Sequence, residues 1–240
     1  MKKVIRTLLG YCISVGLIMQ CSSPGWNARK FYFPLKDLKE GLVYVYENEG
    51  NLGPKTVYWY YRSIISTEGV FLTAAYYENQ SAPAQIVTEE LVANGMMRRE
   101  LFLLEEDQDG RSQRTQATIE VGDSYPFYIA QKGSIFLQRQ FWEDRNSGHR
   151  MTLIKNRIFE GDTIFEWQGK SRSSLNWKVK ELLIDEGDGD LELAFEGTEI
   201  YSEGVGLTYY SKQVSEGMLM AYRLKELISM EELTKRLLLN

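Results

Sequence analysis

The chain has 240 residues, 43% hydrophobic and 12% aromatic, which is ample for a packed core and excludes disorder over most of its length. Its formal net charge is −5, and its densest basic clusters are Arg98-Arg99 and Lys170-Ser171-Arg172, which speaks against a nucleic-acid partner. One histidine and two cysteines leave no set of ligands for a multi-histidine or cysteine-rich metal site.

The N-terminus reads as a leader. Lys2, Lys3 and Arg6 precede an uncharged run from Leu8 to Met19, and the chain changes character at Cys21-Ser22-Ser23-Pro24-Gly25. The apolar run is about a dozen residues, short of the roughly 20 that a spanning helix needs. Leu17-Ile18-Met19-Gln20-Cys21 resembles a bacterial lipobox, with Ile18 and Cys21 in the expected places and Gln20 where a small residue is usual. Cys12 would leave with the leader, so Cys21 would be the sole cysteine of the mature protein, and acylation there, by palmitate or a similar chain, would remove an otherwise unpaired thiol. The expected organisation is a lipoprotein signal peptide over 1–20, a flexible tether over 21–30 and a single β-rich domain over 31–240. Cleavage would remove three basic and no acidic residues and take the net charge from −5 to −8.

Beyond the tether, strand-like runs alternate with turn signals at intervals of roughly ten residues, the spacing of a meander, sandwich or barrel. Leu42 to Tyr46 and Val57 to Tyr61 are apolar or aromatic on both faces. Their second face requires a cover, either a helix or loop packed on the sheet or a ligand held in a cavity. Tyr58, Trp59, Tyr60 and Tyr61 are therefore the candidate ligand-binding residues. Gln85 to Asn94, before Gly95, fits a strand or a helix, with the strand preferred. Leu175, Trp177 and Val179 alternate with Asn176, Lys178 and Lys180, and the same period recurs in Leu191, Leu193 and Phe195 and in Met218, Met220, Tyr222 and Leu224. Turns are expected at Glu49-Gly50-Asn51, Asp109-Gly110, Asn146-Ser147-Gly148, Glu160-Gly161-Asp162, Asp188-Gly189 and Glu216-Gly217, implying about ten strands. One helix closes the chain: Ser229 can cap it, Glu232 completes a capping box, and Met230, Leu233 and Leu237 share a face.

Few residues suggest chemistry. His149 follows the Asn146-Ser147-Gly148 turn and reads as a solvated loop residue rather than a catalytic base. Glu105, Asp107, Asp109 and Gly110 have the opening spacing of a calcium loop, but the first ligand is Glu and position twelve is Gln116. Gly204-Val205-Gly206 lacks the rest of a phosphate-binding loop, and no Gly-x-Ser-x-Gly motif occurs. No catalytic residue, cofactor or metal is therefore expected.

Tyr201-Ser202-Glu203-Gly204-Val205-Gly206-Leu207-Thr208-Tyr209-Tyr210, followed by the strand from Met218 to Leu224, resembles the C-terminal signature of TapB-like bacterial envelope proteins. Phe33-Pro34-Leu35 with Gly41 to Tyr46 resembles that group's first strand. The resemblance implies a curved antiparallel sheet, the β-clam of lipoprotein carriers, whose concave side holds apolar matter beneath a helix. The fold expected is thus mostly β, a single large antiparallel meander of clam, sandwich or barrel form with a C-terminal helix. The function expected is a non-catalytic lipoprotein of the bacterial cell envelope. It would face the periplasm or cell surface, be tied to a membrane through lipid on Cys21, and bind an apolar or amphipathic ligand or an envelope protein. Two alternatives remain: a glycan-binding surface lipoprotein using Trp59, Trp142 and Trp167, and a hydrolase using paired carboxylates.

Overall fold

A computed structural model describes residues 25–78, 82–106, 112–187 and 189–238. The leader, Cys21, Asp107, the Asp109-Gly110 turn and Asp188 of the Asp188-Gly189 turn lie outside the described residues. The first strand, β1 (Trp26–Asn27), is followed by a 3-10 turn over Arg29–Phe31, then by β2 (Leu42–Asn48), β3 (Thr56–Ile65), β4 (Val70–Tyr77) and β5 (Gln85–Val92). The chain continues through β6 (Gly95–Glu106), β7 (Ser112–Gln116), β8 (Thr118–Pro126), β9 (Tyr128–Ile129) and β10 (Ile135–Glu143). Two long strands, β11 (Arg150–Trp167) and β12 (Lys170–Glu186), lead to β13 (Leu191–Ser202), β14 (Gly206–Ser215), β15 (Met218–Ile228) and the helix α1 (Met230–Leu238).

Twelve of the strands form one antiparallel meander that closes into a barrel, while β1 pairs with β9 in a separate two-stranded ribbon. Closure comes from β15 pairing with β2, from Tyr222↔Asn48 through to Ile228↔Val43. The short β7 pairs with the far half of β6, while β8 takes over at the near end through Gly95↔Pro126 and Met96↔Tyr125. A flat sheet cannot close, and β-bulges, which bend a strand, interrupt the register of several strand pairs. One sits at Gly161 in the middle of β11, where φ is +116° and the register to β12 shifts. The expected turn at Glu160-Gly161-Asp162 is therefore a bulge within a continuous strand. The real reversal is Gln168-Gly169, with φ of 50° and 70°, the paired positive values of a tight hairpin.

One end of the barrel is plugged by the segment before β2. Ala28 donates its N–H to Phe127 O at 2.9 Å, Gly204 donates to Lys30 O at 3.0 Å, and Ser63 donates to Leu38 O at 2.9 Å. Phe33 enters the barrel, with its ring 4.1 Å from Tyr61 and 5.6 Å from Tyr44. Tyr32 meets Tyr125 at 5.1 Å, and Tyr125 in turn meets Tyr201 and Trp177. Within the span expected as tether, Trp26 packs on Phe159 at 5.0 Å, and Ala28 is fully buried.

Gly206 explains the Gly-x-Gly pair. Its φ is +101°, and a Cβ there would lie 2.5 Å from the Phe33 ring. Gly204 has φ +72° with open space around it, so it serves the turn alone.

The helix lies outside the barrel. The Ser229 hydroxyl accepts the Glu232 N–H at 3.1 Å, and Leu233, with Met230 and Leu237, covers Val43, Val45, Tyr58, Tyr60 and Tyr77. The clam arrangement, with a helix over a concave face, is therefore replaced by a closed barrel with the helix on its convex wall. Elsewhere the outer face carries ion pairs, including Arg139 with Glu120, Arg223 with Glu49 and Lys178 with Glu196. Among the described residues no helix is long and apolar enough to cross a membrane.

Candidate ligand-binding cavity

Strand alternation divides the candidate aromatic run. Tyr58 and Tyr60 face outward beneath α1, whereas Trp59 and Tyr61 face inward and line a cavity of about 400 Å³. The plug residues Tyr32 and Phe33 also line it. The volume falls within the roughly 300–1,000 Å³ of small-molecule sites.

Cross-strand register builds one wall from apolar side chains. Tyr61, Ala74, Val87 and Leu101 sit opposite one another on four successive strands, and Trp59, Tyr76, Gln85 and Leu103 form the next row along the barrel. Nearer the plug, Arg98 and Glu89 pair at 3.4 Å, and Tyr32 Oη donates to Glu89 at 2.5 Å.

The opposite wall carries buried charge. Lys155 Nζ lies 3.1 Å from Glu181 and 2.6 Å from Glu199. Arg157 Nε donates to Glu199 at 2.7 Å, and its Nη1 donates at 3.1 Å both to Ser124 O and to Gln138 Oε1. Lys212 is paired with Glu181 and stands over the Phe195 ring at 5.0 Å. Burial alone would push Glu199 up, but the Arg157 and Lys155 charges outweigh it and hold its pKa at about 2. Glu181 follows the same balance: burial raises it, Lys155 and Lys212 lower it further, and it too settles at about 2. Both carboxylates are thus ionised at neutral pH. A hydrolase working through paired carboxylates needs one of them protonated, and this pair is held in the wrong state for that role.

Aromatic positions bear on the glycan alternative. Trp59 and Trp142 line the barrel interior, and Trp167 is buried, so these three do not make a row on the surface. His149 lies in its turn as expected and pairs with Asp185 at 2.8 Å. Among the described residues no group of three or more His, Cys, Asp or Glu side chains is arranged to hold a metal ion.

The charged wall went unseen in the sequence, although a signal for it exists. Glu181 continues the alternation of Leu175, Trp177 and Val179, and Glu199 is in phase with Phe195 and Tyr201. A charge at an apolar phase in a strand marks an inward ionic group, and two such charges on neighbouring strands mark a partnered one. Leu191 and Leu193 show the opposite departure, for they continue the Phe195 face yet are 55% and 42% exposed near the barrel's unplugged end.

No family model matches the chain, and no curated protein matches it. Among solved structures, a protein of Parabacteroides distasonis described as a candidate lipoprotein superposes with a TM-score of 0.51 at 14% sequence identity, covering 82% of this chain and 98% of that one. The likeness is one of fold. It supports the β architecture and carries no information on the TapB-like group.

Proposed function

We propose that this chain is a non-catalytic lipoprotein of the bacterial cell envelope, tethered through Cys21, that holds an apolar or amphipathic ligand inside its barrel. The observation that carries the reading is the cavity between the apolar wall around Trp59 and Leu101 and the ionic wall around Lys155. A barrel built only for stability would fill that space with side chains, as it does at the plugged end. The lipobox-like Leu17 to Cys21 and the fold shared with a candidate lipoprotein support the tether. An envelope protein as the partner remains the second form of the same reading.

Two experiments test it. Cys21→Ser should leave the protein unprocessed or released from the membrane, and mass spectrometry finding an unmodified Cys21 on mature native protein would overturn the tether. Native mass spectrometry and solvent extraction of gently purified Cys21→Ser protein should show a non-covalent guest. Recovery of empty protein that binds no amphiphile would overturn the ligand reading and leave a partner-binding scaffold.

A further inference from the structure

Four cations and four carboxylates border the cavity, but their pairing across it is uneven. Lys212, Glu181, Lys155, Glu199 and Arg157 form a chain of alternating charges that begins and ends with a cation, so three cations share two carboxylates. Both carboxylates already carry full charge at neutral pH, so the chain keeps one positive charge in excess. Arg98 and Glu89 form a separate neutral pair. Glu196 also borders the cavity, but its carboxylate turns outward to Lys178 and Lys180 and is 55% exposed. Glu78, at the rim and exposed, accepts a hydrogen bond from Tyr76 Oη at 3.2 Å and touches none of the cations of the chain. Positive charge inside a protein whose overall charge is negative is the reverse of what its surface presents.

The excess is available at Lys212. Arg157 is saturated by Glu199, Ser124 and Gln138, and Lys155 is divided between two carboxylates. Lys212 has one carboxylate, which it shares with Lys155, and its side chain is 38% exposed. An ammonium has three donors, so at least one is free for a guest. Its neighbours on the cavity surface include Phe195, Met220 and Tyr210, which lead round to Trp59 and the apolar wall. A partly desolvated, uncompensated charge is costly, and an anion delivered to it on an apolar chain offsets that cost while the chain covers the aromatic side chains.

We propose that the barrel's ligand is an amphiphile with a single anionic headgroup, its head held by Lys212 and its tail laid on the wall from Trp59 to Leu103. This rests on the reading that the barrel holds a guest. Titration calorimetry of full-length Cys21→Ser protein, stripped of guest, with dodecanoate, dodecanol and dodecyltrimethylammonium separates the two claims. Dodecanoate should bind at least about tenfold more tightly than dodecanol, the scale of one charge-assisted hydrogen bond, and the cationic amphiphile should bind most weakly. Lys212→Met should bring dodecanoate down to the level of dodecanol without weakening dodecanol. Lys212→Arg should keep the preference, and Lys225→Met, on the outer face, should change nothing. Thermal melts of each variant identify any that fails to fold, and Lys212→Arg then carries the test. Equal binding of dodecanoate and dodecanol by the parent protein would overturn the anionic headgroup while leaving the ligand reading intact. A preference that survives Lys212→Met would overturn the placement of the head. No binding of any of the three probes would overturn the ligand reading on which this proposal rests.

Discussion

The two ends of the barrel are made by the same strands and solve opposite problems. At the plugged end, Phe33, Tyr44, Tyr61, Tyr125, Phe159 and Trp177 meet ring against ring, and Trp177 and Phe159 are fully buried. A few residues further along β11, β12 and β13, inward positions are held by Lys155, Glu181 and Glu199, and space remains. The first end converts apolar area into stability, at roughly 25 cal/mol per Å². The second forgoes that gain, and close-packed interiors seldom forgo it without a use for the space. The contrast is between a packed base and an unfilled, partly ionic cavity beyond it.

The largest expected effect is at the base. Phe33→Ala removes the ring that Gly206 makes room for and that packs tilted on Tyr61 and edge-on to Tyr44, and it should cost about 3–5 kcal/mol in denaturant unfolding. Gly206→Val should be comparably damaging, since it combines a positive φ with a side chain driven into the same ring. A loss below about 1 kcal/mol for Phe33→Ala would show that the segment before β2 is a loose cover and would erase the difference between the two ends.

Next is the ionic wall. Glu199→Gln leaves Arg157 buried with one carboxylate removed, and should destabilise by about 3 kcal/mol while leaving the Phe33 end intact. The near-ultraviolet circular dichroism of the tyrosine and tryptophan side chains should therefore persist at temperatures below the lowered midpoint. An unchanged midpoint would mean that the charges are solvated and that the cavity is open to water throughout.

How far the sequence foretold this contrast depends on what each end asks of it. The base was legible in part, since Leu175, Trp177 and Val179 announce an inward face by their period. The capped C-terminal helix was equally plain, because Ser229 and the Met230, Leu233 and Leu237 stripe are local features. What could not be read locally was which face of Val57 to Tyr61 meets the helix and which meets the cavity. That is decided by the closure of β15 on β2, a contact between the two ends of the chain. The ionic wall is similarly non-local. Lys155, Glu181 and Glu199 stand far apart in sequence and look like ordinary surface charges until strand register brings them together. Gly161 misled for a related reason, since a positive φ serves a bulge as well as a turn.

Acid should discriminate the ends as well. Glu181 and Glu199 have pKa values of about 2 in the folded protein against 4.5 without partners. Folded values below unfolded ones mean that their contribution is fully present above about pH 4.5 and is lost as pH falls towards 2. The melting temperature should therefore drop across that window. The Glu181→Gln/Glu199→Gln double variant, lower at pH 7, should show a shallower drop. Parallel profiles for the two proteins from pH 7 to 2.5 would show that these carboxylates titrate normally and are not clamped.

The smallest expected change in stability is on the apolar wall of the cavity, and it sharpens the comparison most. Trp59 is an inward aromatic residue like Phe33, but it is only partly buried and borders the cavity instead of the plug. Its ring lies 5.0 Å from Tyr76 and 6.0 Å from Tyr61, and its indole N–H, which can only donate, lies near the Tyr210 side chain. Trp59→Leu loses two aromatic pairings of modest worth and keeps part of the apolar area, so unfolding should be eased by only about 1 kcal/mol. Tyr210 loses a polar neighbour on the cavity surface, where water can replace it at little cost. Binding should respond differently. Dodecanoate and dodecanol should weaken together, by about tenfold, because the lost surface serves the tail and not the head. A stability loss as large as that of Phe33→Ala would place Trp59 in the core and close the cavity. Weakening of dodecanoate alone would put the headgroup beside Trp59 instead of Lys212.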